Sequence, residues 1–285
     1  MFLVPLTWYI IFRYLPIYGI QIAFRDFVAS RGILGSDWVG LRHFRRFFQS
    51  FFFWRLIRNT LGIAFYSLVV GFPVPIVLAL MLNEVGNLRF KKLVQNITYM
   101  PYFLSLVVVV GMIVNFTNPN YGVINTMIRA FGGDAIPFMI RPDWFKSVFV
   151  LSNVWQNAGW GAVIYIAALA SVNPELYEAA TVDGASRLQK VFNVSLPGIT
   201  PTIVVLLILR VGNLLNVDFQ MILLMQNSLN LQSSDVIMTY VYRVGILEGS
   251  YSFSTAVGLF QAFLNVCLLF GANSTAKRLQ EASLW

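Results

Sequence analysis

Four stretches of 25 residues or more carry no charge, and they constrain the fold of this chain more than anything else in it. No Asp, Glu, Lys or Arg occurs between Arg58 and Glu84, Lys92 and Arg129, Lys146 and Glu175, or Glu248 and Lys277. A helix needs about 20 apolar residues to cross a bilayer, and a barrel strand about 10 in alternation. These runs are long and continuous, so they predict helices. Only 11% of the 285 residues are charged and 58% are hydrophobic, where soluble domains carry about 25% charged residues. A soluble interior of this size cannot hide so much apolar surface. The expected fold class is an all-α membrane protein with about six transmembrane helices, at roughly 2–24, 59–83, 95–117, 147–172, 199–226 and 251–276, in a single domain over 1–285. The first run has no basic stretch before it and no small-residue cleavage site after a short apolar core, so a retained helix is expected. Arg13 within it should face protein or snorkel. Pro73, Pro75 and Pro101 predict kinks.

Cys267 and His43 are the single cysteine and the single histidine, too few for a disulfide within the chain or for a His/Cys metal site. The net charge of +8 points to anionic lipid or an anionic solute as partner, ahead of nucleic acid. Between the first two spans, Arg42, Arg45, Arg46 and Gln49 recur at helical spacing, with Leu41, Phe44, Phe48 and Phe51 on the other side. This predicts an interfacial helix over 40–55, its arginines toward lipid phosphates and its phenylalanines toward acyl chains; the alternative is a surface for a partner protein. Charge counting does not orient the spans, because this helix puts the larger share of Lys and Arg on the side opposite the segments 84–94, 173–198 and 277–285.

A compact charged insert, YEAATVDGASRLQKVFNVSLPGITP, interrupts two of the most apolar segments. Asn173 suits an N-cap and Pro174 the first helical position, with Glu175 and Glu178 in the early turns. Leu176, Ala179 and Ala180 give a small apolar face, and Gly184 can end the helix in a left-handed conformation. A second short helix should carry Leu188, Val191 and Phe192 on one side and Arg187, Lys190 and Asn193 on the other, stopping at Leu196-Pro197 before a new span begins. The result is a helix-Gly-helix elbow over 173–198 with a face shaped for a partner.

Glu178-Ala179-Ala180, Asp183-Gly184, Val194 and Leu196-Pro197 resemble the EAA loop of bacterial ATP-binding-cassette importer permeases, with Val194 where isoleucine is usual. Segments such as FRYLPIYGIQIAFRDF, WVGLRHFRRFF, ALMLNE, GWGAVIYIAALA and YSFSTAVGLFQ are similar to the LplB-like sugar and polysaccharide branch of these permeases, in particular to the permease subunit of an alginate importer. The resemblance implies a type I importer (MetI-like) fold in the bacterial inner membrane, with the elbow as a cytoplasmic coupling helix. It implies a second homologous permease, two ATPase subunits that hold ATP and Mg, and an extracytoplasmic solute-binding protein. The chain itself has no GxxxxGK[ST] and no Gly-Lys pair, so no nucleotide or other cofactor is expected on it.

The fifth span carries Arg210, Asn213, Asn216, Asp218 and Gln220. Polar groups inside a membrane usually face an interior cavity. Helical spacing would put Arg210, Asn213 and Asn216 on one face. Asparagine amides both donate and accept, which suits sugar hydroxyls, and the resemblance places solute contacts in this span. Arg210 could pair a carboxylated sugar, or form an ion pair with Asp218 or with the partner subunit. In the fourth span, Asn157 and Gln156 could hydrogen-bond and Trp160 could stack on a sugar ring, while Trp155 suits an interfacial anchor and Gly159 and Gly161 suit close helix packing. The favoured function is import of an acidic oligo- or polysaccharide such as alginate. The alternatives are a neutral sugar or peptide, or an ion-driven secondary transporter. An intramembrane enzyme lacks the paired groups it would need, since Asp218 is the one clearly intramembrane carboxylate.

Overall fold

A computed structural model describes residues 2–278. The end of the expected segment 277–285, beyond Arg278, lies outside the described residues. The chain is mostly helical. Four helical stretches are long and apolar enough to cross a membrane: Leu3–Phe24, Phe53–Asn83, Arg187–Gly212 and Tyr251–Arg278. Leu88–Phe103 with Leu106–Phe116 makes a fifth, bent by 104° at its break. Pro101 starts the turn at the bend, and the Ser105 hydroxyl caps the next helix. Pro142–Ala170, at 29 residues, is about 44 Å long, but Asn153, Gln156 and Asn157 dilute its apolar character.

Among the described residues, 2–60 together with Asp235–Val266 form one compact unit, and Leu61–Ser234 with 267–278 forms another. This is a finer division than the single domain expected. The first unit begins with Leu3–Phe24, whose apolar window is wholly unburied and includes an exposed Arg13. Next comes a hairpin that the sequence does not announce, Arg25–Val28 against Gly32–Trp38. The expected interfacial helix is shorter than 40–55. It runs Arg42–Phe48 and stops before Ser50, whose hydroxyl accepts from the Phe52 amide at 3.2 Å. Its Phe47 is fully buried with Leu56, Ile237, Tyr240, Val244, Phe253 and Val257. Burying a phenylalanine this way contributes roughly 1.5–3 kcal/mol. Segments that alternate onto the same side of the expected spans thus pack together. Beneath them the fully buried Asp235 accepts from Arg55 at 3.2 Å and Arg243 at 2.9 Å, and its backbone carbonyl accepts from Asn59 at 3.1 Å.

In the second unit, Pro142–Ala170 packs along Pro73–Asn83 through Ile76, Ala79, Ala162, Tyr165 and Leu169, with Ile199 joining them. Gly161 permits this closeness, and Gly159 permits the approach of the helix Leu88–Tyr99. A Cβ at Gly159 would fall on the Thr98 carbonyl, and one at Gly161 would meet the Pro75 ring at 3.2 Å. Asn227 and Asn230 each donate to the Met139 carbonyl at 2.9 Å, tying together two connections that also share a side.

Candidate functional site

The elbow is built as two helices around one glycine. The Asn173 side chain accepts from the Glu175 amide at 3.0 Å, and Pro174 opens the helix Pro174–Val182. Gly184 ends it with φ +76°, a conformation that side chains disfavour. The Ala185 amide reaches back to the Ala180 carbonyl at 2.9 Å and the Gly184 amide to Thr181 at 3.1 Å, closing a Schellman turn. Ser186 and Gln189 then form a capping box.

Contrary to expectation, Leu196-Pro197 does not stop the second helix. Arg187–Lys190 passes through a π-turn at Val191–Ser195 directly into Leu196–Gly212. The wider turn absorbs the donor that Pro197 lacks. Elbow and fifth span are one helical rod of 26 residues, Arg187–Gly212. The Tyr177 and Ser195 hydroxyls lie 3.0 Å apart, and Lys190 Nζ donates to Thr181 Oγ1 at 3.3 Å, bracing the first helix against this rod. Glu178 and Ala179 are exposed, Ala180 is half-buried, and Asp183 and Gly184 sit exposed at the tip. Leu196 is half-buried and Pro197 exposed at the base. Leu176, Leu188 and Phe192 are exposed as well, and Val182 is 88% exposed.

The rod ends at a cavity of about 500 Å³ in the same unit. The structure gathers Asn157, Arg210, Asn213, Asn216 and Asp218 around it. They do not share a helical face as expected, because the fifth span is not continuous over 199–226. The helix ends at Gly212, and a new one, Phe219–Met225, starts only after Asp218 caps it by accepting from the Met221 amide at 3.1 Å. The polar side chains compete with the helix backbone: Asn213 Nδ2 donates to the Leu209 carbonyl at 3.2 Å and Asn216 Nδ2 to Asn213 Oδ1 at 3.4 Å. The expected alternative of an Arg210–Asp218 ion pair is not formed, and no carboxylate lies within salt-bridge distance of Arg210 among the described residues.

Two expected pathway residues lie elsewhere. Trp160 stacks on Tyr102 at 4.9 Å and is not on the cavity wall. The helical period aligns Asn153, Asn157 and Gly161 on the wall and turns Trp160 away from that stripe. Gln220 is exposed outside the cavity, and Gln156 is buried. Ser67, Asn153 and Tyr165 also line the cavity, beyond the residues expected there. The i, i+4 spacing of Asn153 and Asn157 is the one sequence signal that points to any of the three.

Apolar spanning helices, a cavity that gathers polar side chains where the fifth span breaks, and an exposed elbow suit a membrane permease. The chain belongs to the family described as the binding-protein-dependent transport system inner membrane component, which matches residues 71–281. Protein LplB of Bacillus subtilis is 44% identical over 99% of this chain and 89% of its own length. The polygalacturonan/rhamnogalacturonan transport system permease protein YteP of the same organism is 43% identical over 98% of this chain and 87% of its own. A chain in the crystal structure of a bacterial ABC transporter that imports the acidic polysaccharide alginate superposes with a TM-score of 0.91. It has 41% identity and covers 99% of this chain and 95% of its own length. The protein is thus a multi-pass inner-membrane permease of the ABC importer class.

Proposed function

We propose that this permease forms half of a pathway importing acidic oligo- or polysaccharides, and that it is driven through its elbow by separate ATPase subunits. A second homologous permease completes the pathway, and an extracytoplasmic binding protein delivers the solute. ATP and Mg act on the ATPases. The exposed apolar residues of the elbow and the unpaired Glu178 suit a cleft on an ATPase, with the motion carried by the rod.

The observation that carries the substrate reading is Arg210, a guanidinium that shares the cavity wall with Asp218 but pairs with no carboxylate among the described residues. Left so, it favours an anionic ligand, and a sugar carboxylate can accept two parallel hydrogen bonds from it. Asn157, Asn213 and Asn216 offer amides to hydroxyls. Two of the similar proteins carry acidic polymers in their names, a polygalacturonan permease and an alginate importer. The test is uptake by the assembled importer in proteoliposomes. Tetragalacturonate should be taken up in preference to neutral galactotetraose, and Arg210→Ala should cut acidic uptake roughly tenfold while leaving neutral uptake little changed. Equal handling of both sugars by the wild type would overturn the acidic assignment, and preferred galactotetraose would favour a neutral-sugar importer.

A further inference from the structure

The arginine helix Arg42–Phe48 does not lie as a flat amphipathic strip. One side is taken by the protein, with Phe47 in the core and Phe44 against Phe24 at 5.5 Å. The other side walls an open cavity of about 870 Å³, within the roughly 300–1,000 Å³ range of small-ligand sites. Arg42, Arg45 and Arg46 line it, and no Asp or Glu does. Arg42 is neutralised by Asp26 at 2.6 Å. Arg45 and Arg46 pair with no carboxylate among the described residues. Arg46 is held over the Phe253 ring, 4.8 Å from its centre, which fixes its guanidinium in place. Phe52, Tyr240 and Phe253 supply aromatic walls, and Gln49 and Ser50 add neutral hydrogen-bonding groups.

We propose that this cavity is a second saccharide site, separate from the Arg210 cavity, which receives a carboxylated sugar. Two unneutralised guanidiniums take the carboxylates, the aromatic walls take the apolar faces of the rings, and Gln49 and Ser50 take hydroxyls. A phospholipid phosphate shares the anionic chemistry. It has no use for fixed aromatic walls and neutral donors together, and this favours the saccharide. The inference rests on the acidic-saccharide reading above.

The experiment uses the assembled importer, with its binding protein, in phosphatidylcholine vesicles with and without phosphatidylglycerol. The probes are tetragalacturonate and its neutral methyl ester. For the double variant Arg45→Gln/Arg46→Gln, the KM for tetragalacturonate should rise about tenfold in both lipids. Its kcat and the uptake of the ester should stay within about twofold, and Arg45→Lys/Arg46→Lys should recover part of the loss. An unchanged KM in the variant, with wild type still importing tetragalacturonate, would remove this site and leave the function standing. A defect confined to phosphatidylglycerol vesicles and equal for both probes would identify a lipid headgroup instead and overturn the proposal. Failure of the wild type to import tetragalacturonate would overturn both readings.

Discussion

Asp235 has no exposed surface and is held by two arginines, Arg55 and Arg243, so its charge is matched only while the cluster is intact. Asp235→Asn should therefore cost about 3–5 kcal/mol, read as a lowered Tm of the detergent-solubilised protein. His43 behaves in the opposite sense. Burial holds its imidazole below the ordinary value of 6.5, and the nearby Arg42 and Arg46 add to this, against a hydrogen bond to the Arg25 carbonyl and the charge of Asp26. Between the two pKa values the unfolded chain binds more protons, so stability rises with pH. The contribution is complete above about pH 6.5 and is lost as pH falls toward the folded value. His43→Gln should flatten the decline in Tm between about pH 7 and 5. Neither role was legible in the sequence. Asp235 sits in a connection far from Arg55 along the chain, and no periodicity links them. Arg210, by contrast, stood out in the sequence because isolated charge in an apolar segment is itself a signal.

At the scale of elements, glycines decide where helices meet. Gly159 lies against the Thr98 carbonyl of a neighbouring helix, so even a methyl group forces the pair apart. Gly159→Leu should reduce assembled protein in the membrane and lower Tm by several degrees, since overpacking typically costs about 1–3 kcal/mol, whereas Gly258→Ala, with open space around it, should be neutral. Helix existence was readable from the charge gaps, and the elbow from its caps: Asn173, Pro174 and Gly184 do what their residue types suggest. Element ends were not readable where side chains and backbone compete. Asn213, Asn216 and Asp218 look like positions on a continuing helix but end one and cap the next. Pro197 looks like a stop and is absorbed by a π-turn. The hairpin at Arg25–Trp38 leaves no alternating pattern strong enough to reveal it.

At the scale of the molecule, the unburied Leu3–Phe24 stretch and the exposed elbow are surfaces that this chain alone leaves uncovered. Glu178→Lys should abolish co-purification with the ATPase subunits while leaving the permease folded, as judged by an unchanged Tm. Retention of the ATPases would overturn the elbow's assigned role. Membership in an importer family was legible because Glu178-Ala179-Ala180, Gly184 and Leu196-Pro197 stand together at a specific spacing. The cavity was harder, because its wall is assembled from Ser67, Asn153, Tyr165 and the broken fifth span, which are distant in the sequence.

The uninterrupted rod from Arg187 to Gly212 spans about 39 Å. A tilt of about 10° pivoting at the elbow end would swing Arg210 by roughly 6 Å, about twice the length of a hydrogen bond. On the proposed function, a motor gripping that end would never have to touch a sugar to release it; leverage alone would withdraw the guanidinium from a bound carboxylate.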